Sequence, residues 1–155
     1  MGLFSGNSQS TVFDFELVQY STAKGKGYVA QRIKDKQRLS YWSWPFAPGL
    51  YAFDVAGTSY RRKALQDSVF SPGKRVAIIP DTNNPADPEA LAVWDSAHKL
   101  QIGYVPKERL PQMKKIIKEE GLTCISMWEN REGKERVGLR VLVIMPNVKI
   151  KLPNK

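Results

Sequence analysis

The chain of 155 residues has the length of one globular domain, and its 42% hydrophobic and 25% charged residues are ordinary for a protein that buries a core. A single cysteine excludes an intramolecular disulfide and a zinc site built from several cysteines, and it favours a reducing, cytoplasmic location. The net charge of +9 is unusual, and it favours a polyanionic partner, nucleic acid or an anionic membrane, over a role in solubility alone.

The positive charge is concentrated towards the two ends of the chain. Residues 1–48 contain six Lys or Arg and three acids, residues 49–145 contain fifteen and twelve, and the last ten residues contain three lysines and no acid. Each segment therefore carries +3. We predict a basic, aromatic-rich and partly disordered N-terminal arm (residues 1–48), a central domain (residues 49–146) and a basic C-terminal tail (residues 147–155).

No secretory or membrane-spanning segment is predicted. Residues 1–10 are small and polar, which favours disorder, and they lack the basic start and apolar run of a signal peptide. The longest uncharged stretch, residues 39–53, contains two prolines and is shorter than the ~20 apolar residues that span a bilayer.

Alternating apolar and polar side chains predict a series of short strands. The first lies at residues 12–17, whereas residues 28–39 have no clear period. The strands predicted in the central domain lie at residues 50–56, 74–80, 91–94, 100–105, 122–128 and 137–145. The strand at 74–80 has little polar alternation, so we expect both its faces to be buried. The charged residues 129–136 are predicted to form the turn between the last two strands.

One helix is predicted after the fourth strand of the central domain. Pro106 and Pro111 bracket its start, where proline is tolerated, and Gly121 marks its end. Its apolar stripe consists of Leu110, Met113, Ile116 and Ile117. Residues 61–69 form either a second short helix or an irregular crossing. Together these elements predict a mainly β fold, a small six-stranded barrel of OB-like or SH3-like type with one or two short helices.

A long polar loop, residues 81–90, separates two of the predicted strands. It contains two prolines, two asparagines and three acidic residues, and it is longer than a tight hairpin requires. Loops of this kind on a rigid scaffold commonly carry binding residues. We therefore interpret residues 81–90 as a candidate binding site.

Two segments place aromatic residues beside basic ones. Tyr60 precedes Arg61, Arg62 and Lys63, so its ring would stack a nucleobase while the cations contact phosphates; alternatively, Tyr60 caps the barrel and the basic triplet is a solvated turn. Residues 40–49 contain two tryptophans, a tyrosine and a phenylalanine. These rings would pack on the domain, stack nucleobases or lie at a membrane interface.

The residues that could perform catalysis are few. His98 is the single histidine and lies in a predicted hairpin tip, which argues against a catalytic triad and against zinc bound by His and Cys. Cys124 alternates with apolar residues and is predicted to be a buried structural thiol. Asp81, Asp87 and Glu89 leave a magnesium-dependent nuclease as an alternative. We predict no enzyme, no metal and no cofactor.

Three sequence blocks resemble those of the HIRAN domain. They are residues 57–60 (Gly-Thr-Ser-Tyr), residues 81–93 (with Asn-Asn-Pro-x-Asp-Pro at their centre) and residues 102–108 (Ile-Gly-Tyr-Val-Pro-Lys-Glu). The resemblance covers about residues 50–145. It implies an OB-like barrel and is closest in kind to the small free-standing members of bacteria and phages, rather than to those fused to DNA translocases.

The resemblance also implies a ligand and a set of binding residues. A HIRAN domain captures the 3′ hydroxyl end of single-stranded DNA, with a tyrosine stacked on the terminal base and an aspartate on the 3′ hydroxyl. By motif these positions are Tyr60 and Asp87, and Tyr104 takes a position that contacts the strand. Two positions depart from that pattern, because Ser59 replaces an arginine and Ala86 replaces an aromatic residue.

The sequence therefore predicts a non-catalytic nucleic-acid-binding module whose ligand is single-stranded DNA and its 3′ hydroxyl end. A protein partner in a replication or repair complex is a secondary expectation. A peptide-interaction module on the same barrel and the metal-dependent nuclease are the alternatives. The predicted nucleic-acid-binding residues are Ser59, Tyr60, Arg61, Arg62, Lys63, Asp87, Tyr104 and Lys107.

Overall fold

The computed structural model describes residues 12–153, so the predicted disorder of residues 1–10 lies outside the described residues. The described part contains nine strands: β1 (Phe15–Thr22), β2 (Gly25–Arg32), β3 (Leu50–Asp54), β4 (Val76–Pro80), β5 (Leu91–Asp95), β6 (Gln101–Tyr104), β7 (Thr123–Glu132), β8 (Glu135–Ile144) and β9 (Ile150–Lys151). The helices are α1 (Arg62–Leu65) and α2 (Leu110–Ile116), and the 3-10 turns are Thr58–Tyr60, Ser68–Phe70 and Lys107–Arg109. Within these residues no helix is long and apolar enough to cross a membrane.

The strands form two sheets. The larger has the order β3-β8-β7-β2-β1-β9 and the smaller the order β4-β5-β6, and all neighbours are antiparallel except β1 and β9. Isolated bridges join the sheets where Ala56 pairs with Tyr104 and where Arg75 pairs with Ile125. The mainly β fold with two helices is confirmed. The predicted six-stranded barrel is not, because the ladder is interrupted at these bridges and the sheets are not closed into a barrel.

The hairpin of β7 and β8 lies at the centre of the fold. Successive side chains of a strand point to opposite faces. Leu139, Val141 and Val143 therefore contribute to one apolar core, and Leu142 and Ile144 to another. The first core also contains the buried residues of the smaller sheet and of α2, whereas the second lies beneath β1 and β2. Both faces of β8 are thus covered, which accounts for its nearly continuous apolar sequence.

Residues from the predicted arm and tail contribute strands to the larger sheet. β2 pairs with β7 over Gly25–Gly27, and β9 pairs with β1 at Phe15 and Ile150. The β2–β7 contact depends on glycine, because Gly27 has a φ of +152° and a Cβ there would lie 2.3 Å from the carbonyl oxygen of Met127. The N-terminal hairpin therefore packs directly on the central one.

Several local predictions are confirmed. Each strand predicted in the central domain is present within a few residues, and α2 buries Met113 and Ile116 of the predicted stripe. His98 lies exposed in the turn between β5 and β6. Cys124 is buried, and that burial raises the pKa of its thiol to about 12. The thiol is therefore protonated at neutral pH, in keeping with a structural role.

Two local predictions are wrong. β4 is not buried on both faces, because it is an edge strand of the smaller sheet, and residues 77–79 are half-buried. Residues 129–136 are not a turn, because β7 extends to Glu132 and β8 begins at Glu135. Glu129 and Arg136 face each other in the interior and are 1% and 6% exposed. The charge pattern alone could not show that these two opposite charges meet across the hairpin in the interior.

The buried ion pair joins the central hairpin to the segment around α1. The Arg136 Nε lies 2.9 Å from the Glu129 Oε1, and its Nη1 donates to the carbonyl oxygens of Leu65 and Asp67 at 2.6 and 3.0 Å. Arg131 donates to the other Glu129 oxygen. Every charge of this cluster is thus paired, which is the condition under which buried charges are tolerated.

We expect Glu129→Ala to lower the free energy of unfolding by about 3–5 kcal/mol, because it leaves Arg136 buried without its counter-charge. Urea denaturation followed by circular dichroism measures this change. Glu132→Ala, which removes an exposed carboxylate from the same strand, should change it by less than about 0.5 kcal/mol. Equal effects of the two substitutions would show that the pair does not stabilise the fold.

A buried carboxylate also closes the β5–β6 hairpin. The Asp95 Oδ1 accepts hydrogen bonds from the backbone N–H groups of Lys99 and Leu100 at 2.7 and 2.8 Å. Burial acts to raise the pKa of Asp95, but these and a further backbone hydrogen bond from Ala97 outweigh it, so the pKa lies below the ordinary 3.8. A lowered pKa means that the ionised carboxylate stabilises the folded state.

We therefore expect the stability difference between the wild type and Asp95→Asn to depend on pH. Above the ordinary carboxyl pKa the wild type should be more stable by about 1 kcal/mol, because a charged acceptor forms stronger hydrogen bonds. The difference should shrink as the pH falls below about 4, since protonation removes the charge in both states. Urea titrations at neutral and acidic pH measure it, and a constant difference would contradict this account.

Candidate functional site

The loop between β4 and β5, residues 81–90, is ordered by its own side chains. The Asn84 Oδ1 accepts hydrogen bonds from the backbone N–H groups of Ala86 and Asp87 at 2.9 and 3.1 Å. The Asp87 Oδ1 in turn accepts one from the N–H of Glu89 at 3.0 Å. These are the local contacts by which Asn and Asp stabilise turns. The loop therefore has a defined conformation without help from a ligand.

Tyr104 attaches the start of this loop to the smaller sheet. Its hydroxyl donates to the Asp81 Oδ2 at 3.0 Å, and the Asn84 Nδ2 lies 3.4 Å from both of these oxygens. Tyr104 is the last residue of β6, which neighbours β5. Its hydroxyl therefore has a structural partner, while its half-buried ring borders the loop.

The turn that carries Tyr60 starts beside Tyr104. Ala56 and Tyr104 exchange both backbone hydrogen bonds, at 2.8 and 2.9 Å. Gly57, with a φ of +79°, then begins the 3-10 turn Thr58–Tyr60. The Tyr60 side chain is 90% exposed. A ring exposed to that extent does not cap a core, so the alternative structural role considered for Tyr60 is not observed.

The structure brings the Tyr60 turn, Tyr104 and the start of the loop to the same end of the molecule, through the Ala56–Tyr104 bridge and the Tyr104–Asp81 hydrogen bond. The remaining polar and basic residues of the predicted site are also accessible. They are all exposed: Ser59, Arg61, Arg62, Lys63 and Lys107. Asp87 is half-buried, and the contact that its carboxylate makes is with its own loop.

Sequence reasoning missed the role of Asn84, which organises the loop and contacts Tyr104. The sequence shows that Asn84 is a residue type that stabilises turns, but it does not show that the side chain contacts Tyr104, twenty residues away. Asp81 was considered only as a metal ligand, whereas its carboxylate accepts the Tyr104 hydroxyl.

The carboxylates proposed for a nuclease have separate partners. Asp81 contacts Tyr104, Asp87 contacts the N–H of Glu89, and the Glu89 side chain forms an ion pair with Lys114 of α2. In the part of the chain that the structure describes, no three His, Cys, Asp or Glu side chains are grouped closely enough to hold a metal ion.

These features define a small, mainly β protein with a candidate ligand-binding end made of an Asx-Pro loop, an exposed tyrosine turn and a second tyrosine between them. The family model of the HIRAN domain matches residues 48–151. The chain therefore belongs to the HIRAN domain family, as the three sequence blocks predicted, and the HIRAN domain is a nucleic-acid-binding module. No curated protein and no solved structure matches the chain.

We expect Tyr104→Phe to loosen the loop, because it removes the hydroxyl that donates to Asp81. The loss of one such hydrogen bond costs about 1 kcal/mol, and amide hydrogen exchange at Ala86 and Asp87 should accelerate accordingly. Tyr60→Phe is the matched control, since it removes an exposed hydroxyl and should leave exchange in the loop unchanged. Unaltered exchange in Tyr104→Phe would show that the loop does not depend on this contact.

Proposed function

We propose that this protein is a non-catalytic module that binds single-stranded DNA and receives its 3′ hydroxyl end between Tyr60 and Asp87. The observation that carries the proposal is the 90% exposed ring of Tyr60, held on a short turn that is bridged to β6. Membership of the HIRAN domain family supports a nucleic acid as the ligand.

The surroundings of Tyr60 suit a base and its phosphates. An aromatic ring offers a stacking face to any nucleobase, with a gain of ~1–3 kcal/mol per base. Arg61, Arg62 and Lys63 follow the ring directly and are exposed, so they are available to phosphate oxygens. In this proposal Arg61 and Arg62 supply the phosphate contact that the family's arginine makes at the position of Ser59.

Asp87 supplies the proposed discrimination between strand ends. A carboxylate accepts a hydrogen bond from a free 3′ hydroxyl but repels a 3′ phosphate. Its Oδ1 is held by the N–H of Glu89, so the carboxylate is oriented before the ligand arrives. An oriented acceptor loses less conformational entropy on binding than a mobile one.

The decisive experiment compares two short single strands of identical sequence, one with a 3′ hydroxyl and one with a 3′ phosphate, by fluorescence anisotropy. We expect the hydroxyl strand to bind roughly tenfold more tightly, the effect of about one charge-assisted hydrogen bond. Asp87→Asn should remove most of this preference. Equal affinities for the two strands in the wild type would contradict end recognition while leaving general strand binding intact.

Variants of Tyr60 test the stacking contact in the same assay. Tyr60→Ala should weaken binding of both strands by at least fivefold, whereas Tyr60→Phe, which keeps the ring, should bind nearly as the wild type. The logarithm of the affinity should also fall with the logarithm of salt concentration, with a slope of about −0.7 per phosphate contacted. Cleavage of the strand in the presence of Mg²⁺ would show that the module is catalytic.

A further inference from the structure

The aromatic segment at residues 41–44 precedes the part of the chain that the HIRAN model matches, and its rings have unequal environments. Trp44 packs against the core beside Tyr51, with ring centroids 4.7 Å apart. Trp42, in contrast, is 76% exposed. Packing onto the domain therefore accounts for Trp44 and not for Trp42.

The exposed indole of Trp42 has a rigid support. Its ring centroid lies 4.5 Å from that of Tyr41, with an interplanar angle of 30°. The Arg140 guanidinium lies 3.6 Å from the Tyr41 ring centroid, its Nη2 donates to the Tyr41 hydroxyl at 2.8 Å, and its Nε pairs with Asp54 at 3.1 Å. Because Arg140 belongs to β8, Tyr41 is attached to a strand inside the larger sheet.

The two rings line a groove of about 640 Å³ that leads towards the Tyr60 turn. Its walls include Ala56, which is bridged to Tyr104, and Lys107, which follows Tyr104 by three residues. The charged side chains that line it are the cations Lys107, Arg109 and Arg140 and the acids Asp54 and Glu108. The groove thus includes Ala56 and Lys107, which adjoin the candidate site, and it carries a small excess of positive charge.

A supported, exposed aromatic ring beside cations is suited to a nucleobase and its phosphate. Stacking requires a free face, which the 76% exposure of Trp42 provides, and little loss of side-chain entropy, which the contact of Trp42 with the anchored Tyr41 ring reduces. Lys107 is exposed and available to a phosphate, whereas the Arg109 guanidinium lies over the Trp44 ring at 4.7 Å. Membership of a nucleic-acid-binding family favours a strand over a membrane surface as the occupant, since lipid and nucleic-acid phosphates would meet the acids Asp54 and Glu108 alike.

We propose that Trp42 is a second stacking site for the same single strand, several nucleotides from the end that binds at Tyr60. The inference rests on the proposed function, because the strand enters the groove from the Tyr60 site. Tyr41 and Arg140 are positioning residues that hold the indole, and Lys107 contacts the phosphate between the two sites.

Strands of different length separate the two stacking sites. On a strand of about three nucleotides, which reaches only the Tyr60 site, Trp42→Ala should bind as the wild type. On a strand of about twelve nucleotides the same variant should lose roughly tenfold in affinity, and Trp42→Phe should recover most of it. A strand that carries a photoreactive halogenated uracil at an internal position should cross-link to Trp42.

Tyr20→Ala is the matched control, because Tyr20 is also an exposed aromatic residue, 41% accessible, beside an arginine, with the Arg38 guanidinium 4.4 Å from its ring centroid. Tyr20 does not line the groove, so the affinity of Tyr20→Ala for the long strand should equal that of the wild type. An equal loss in both variants would overturn the inference, since any exposed aromatic–arginine pair would then contribute.

Two further outcomes distinguish this inference from the proposed function. If Tyr60→Ala weakens binding and Trp42→Ala has no effect at any length, the second site is refuted and the proposed function stands. If the wild type binds no strand, both fail. A blue shift of tryptophan fluorescence that appears with vesicles containing anionic lipid but not with single strands, and that is lost in Trp42→Phe, would assign the ring to a membrane surface and overturn the inference.

Discussion

The buried pairing of Arg136 with Glu129 connects the central hairpin to the segment that follows the exposed Tyr60. Arg136 also binds this segment through its backbone, since its N–H and carbonyl groups both hydrogen-bond to the Gln66 side chain, at 2.8 and 2.7 Å. A movement of this segment away from β8 would remove the Leu65 and Asp67 carbonyl oxygens from a buried guanidinium, which is energetically costly. The Tyr60 turn ends two residues before α1 begins, so this interior interaction holds the segment after the turn, while the Ala56–Tyr104 bridge holds the chain before it.

In the candidate site, exposed side chains are carried by segments that are attached to the sheets. The loop at residues 81–90 is attached through Tyr104, the Tyr60 turn through the Ala56 bridge, and Trp42 through Tyr41 and Arg140. Anchoring reduces the conformational entropy that a ligand must remove, so each exposed ring can contribute more of its stacking energy to binding. Tyr60 and Trp42, the two most exposed aromatic rings of the described residues, are the two for which we propose a ligand.

Local patterns predicted the strands and helices of the fold, whereas features that depend on contacts between distant residues could not be predicted from the sequence. Strand alternation and proline placement are local, so β3, β5 and α2 were found from the sequence. The burial of the Glu129–Arg136 pair and the contact of Asn84 with Tyr104 depend on tertiary partners. For residues 129–136 the pattern of charges indicated a turn instead. Whether sheets close into a barrel also depends on long-range pairing. Trp42 and Trp44 are indistinguishable in sequence and are separated by burial alone.

The departure from the family pattern at Ala86 and the aromatic segment at residues 41–44 both concern the stacking surface that a bound strand would meet. The family pattern has an aromatic residue at the position of Ala86, so the proposed complex would lack one stacking wall, and stacking is a major source of affinity for single strands. In the proposed complex, Trp42 adds stacking surface farther along the strand instead of beside the terminal base. Affinity would then depend more on strand length, while discrimination of the end would depend on Asp87 and Tyr60. Binding of strands of different length thus tests the proposed Trp42 site, and the comparison of 3′-hydroxyl with 3′-phosphate strands tests the proposed site at Tyr60 and Asp87.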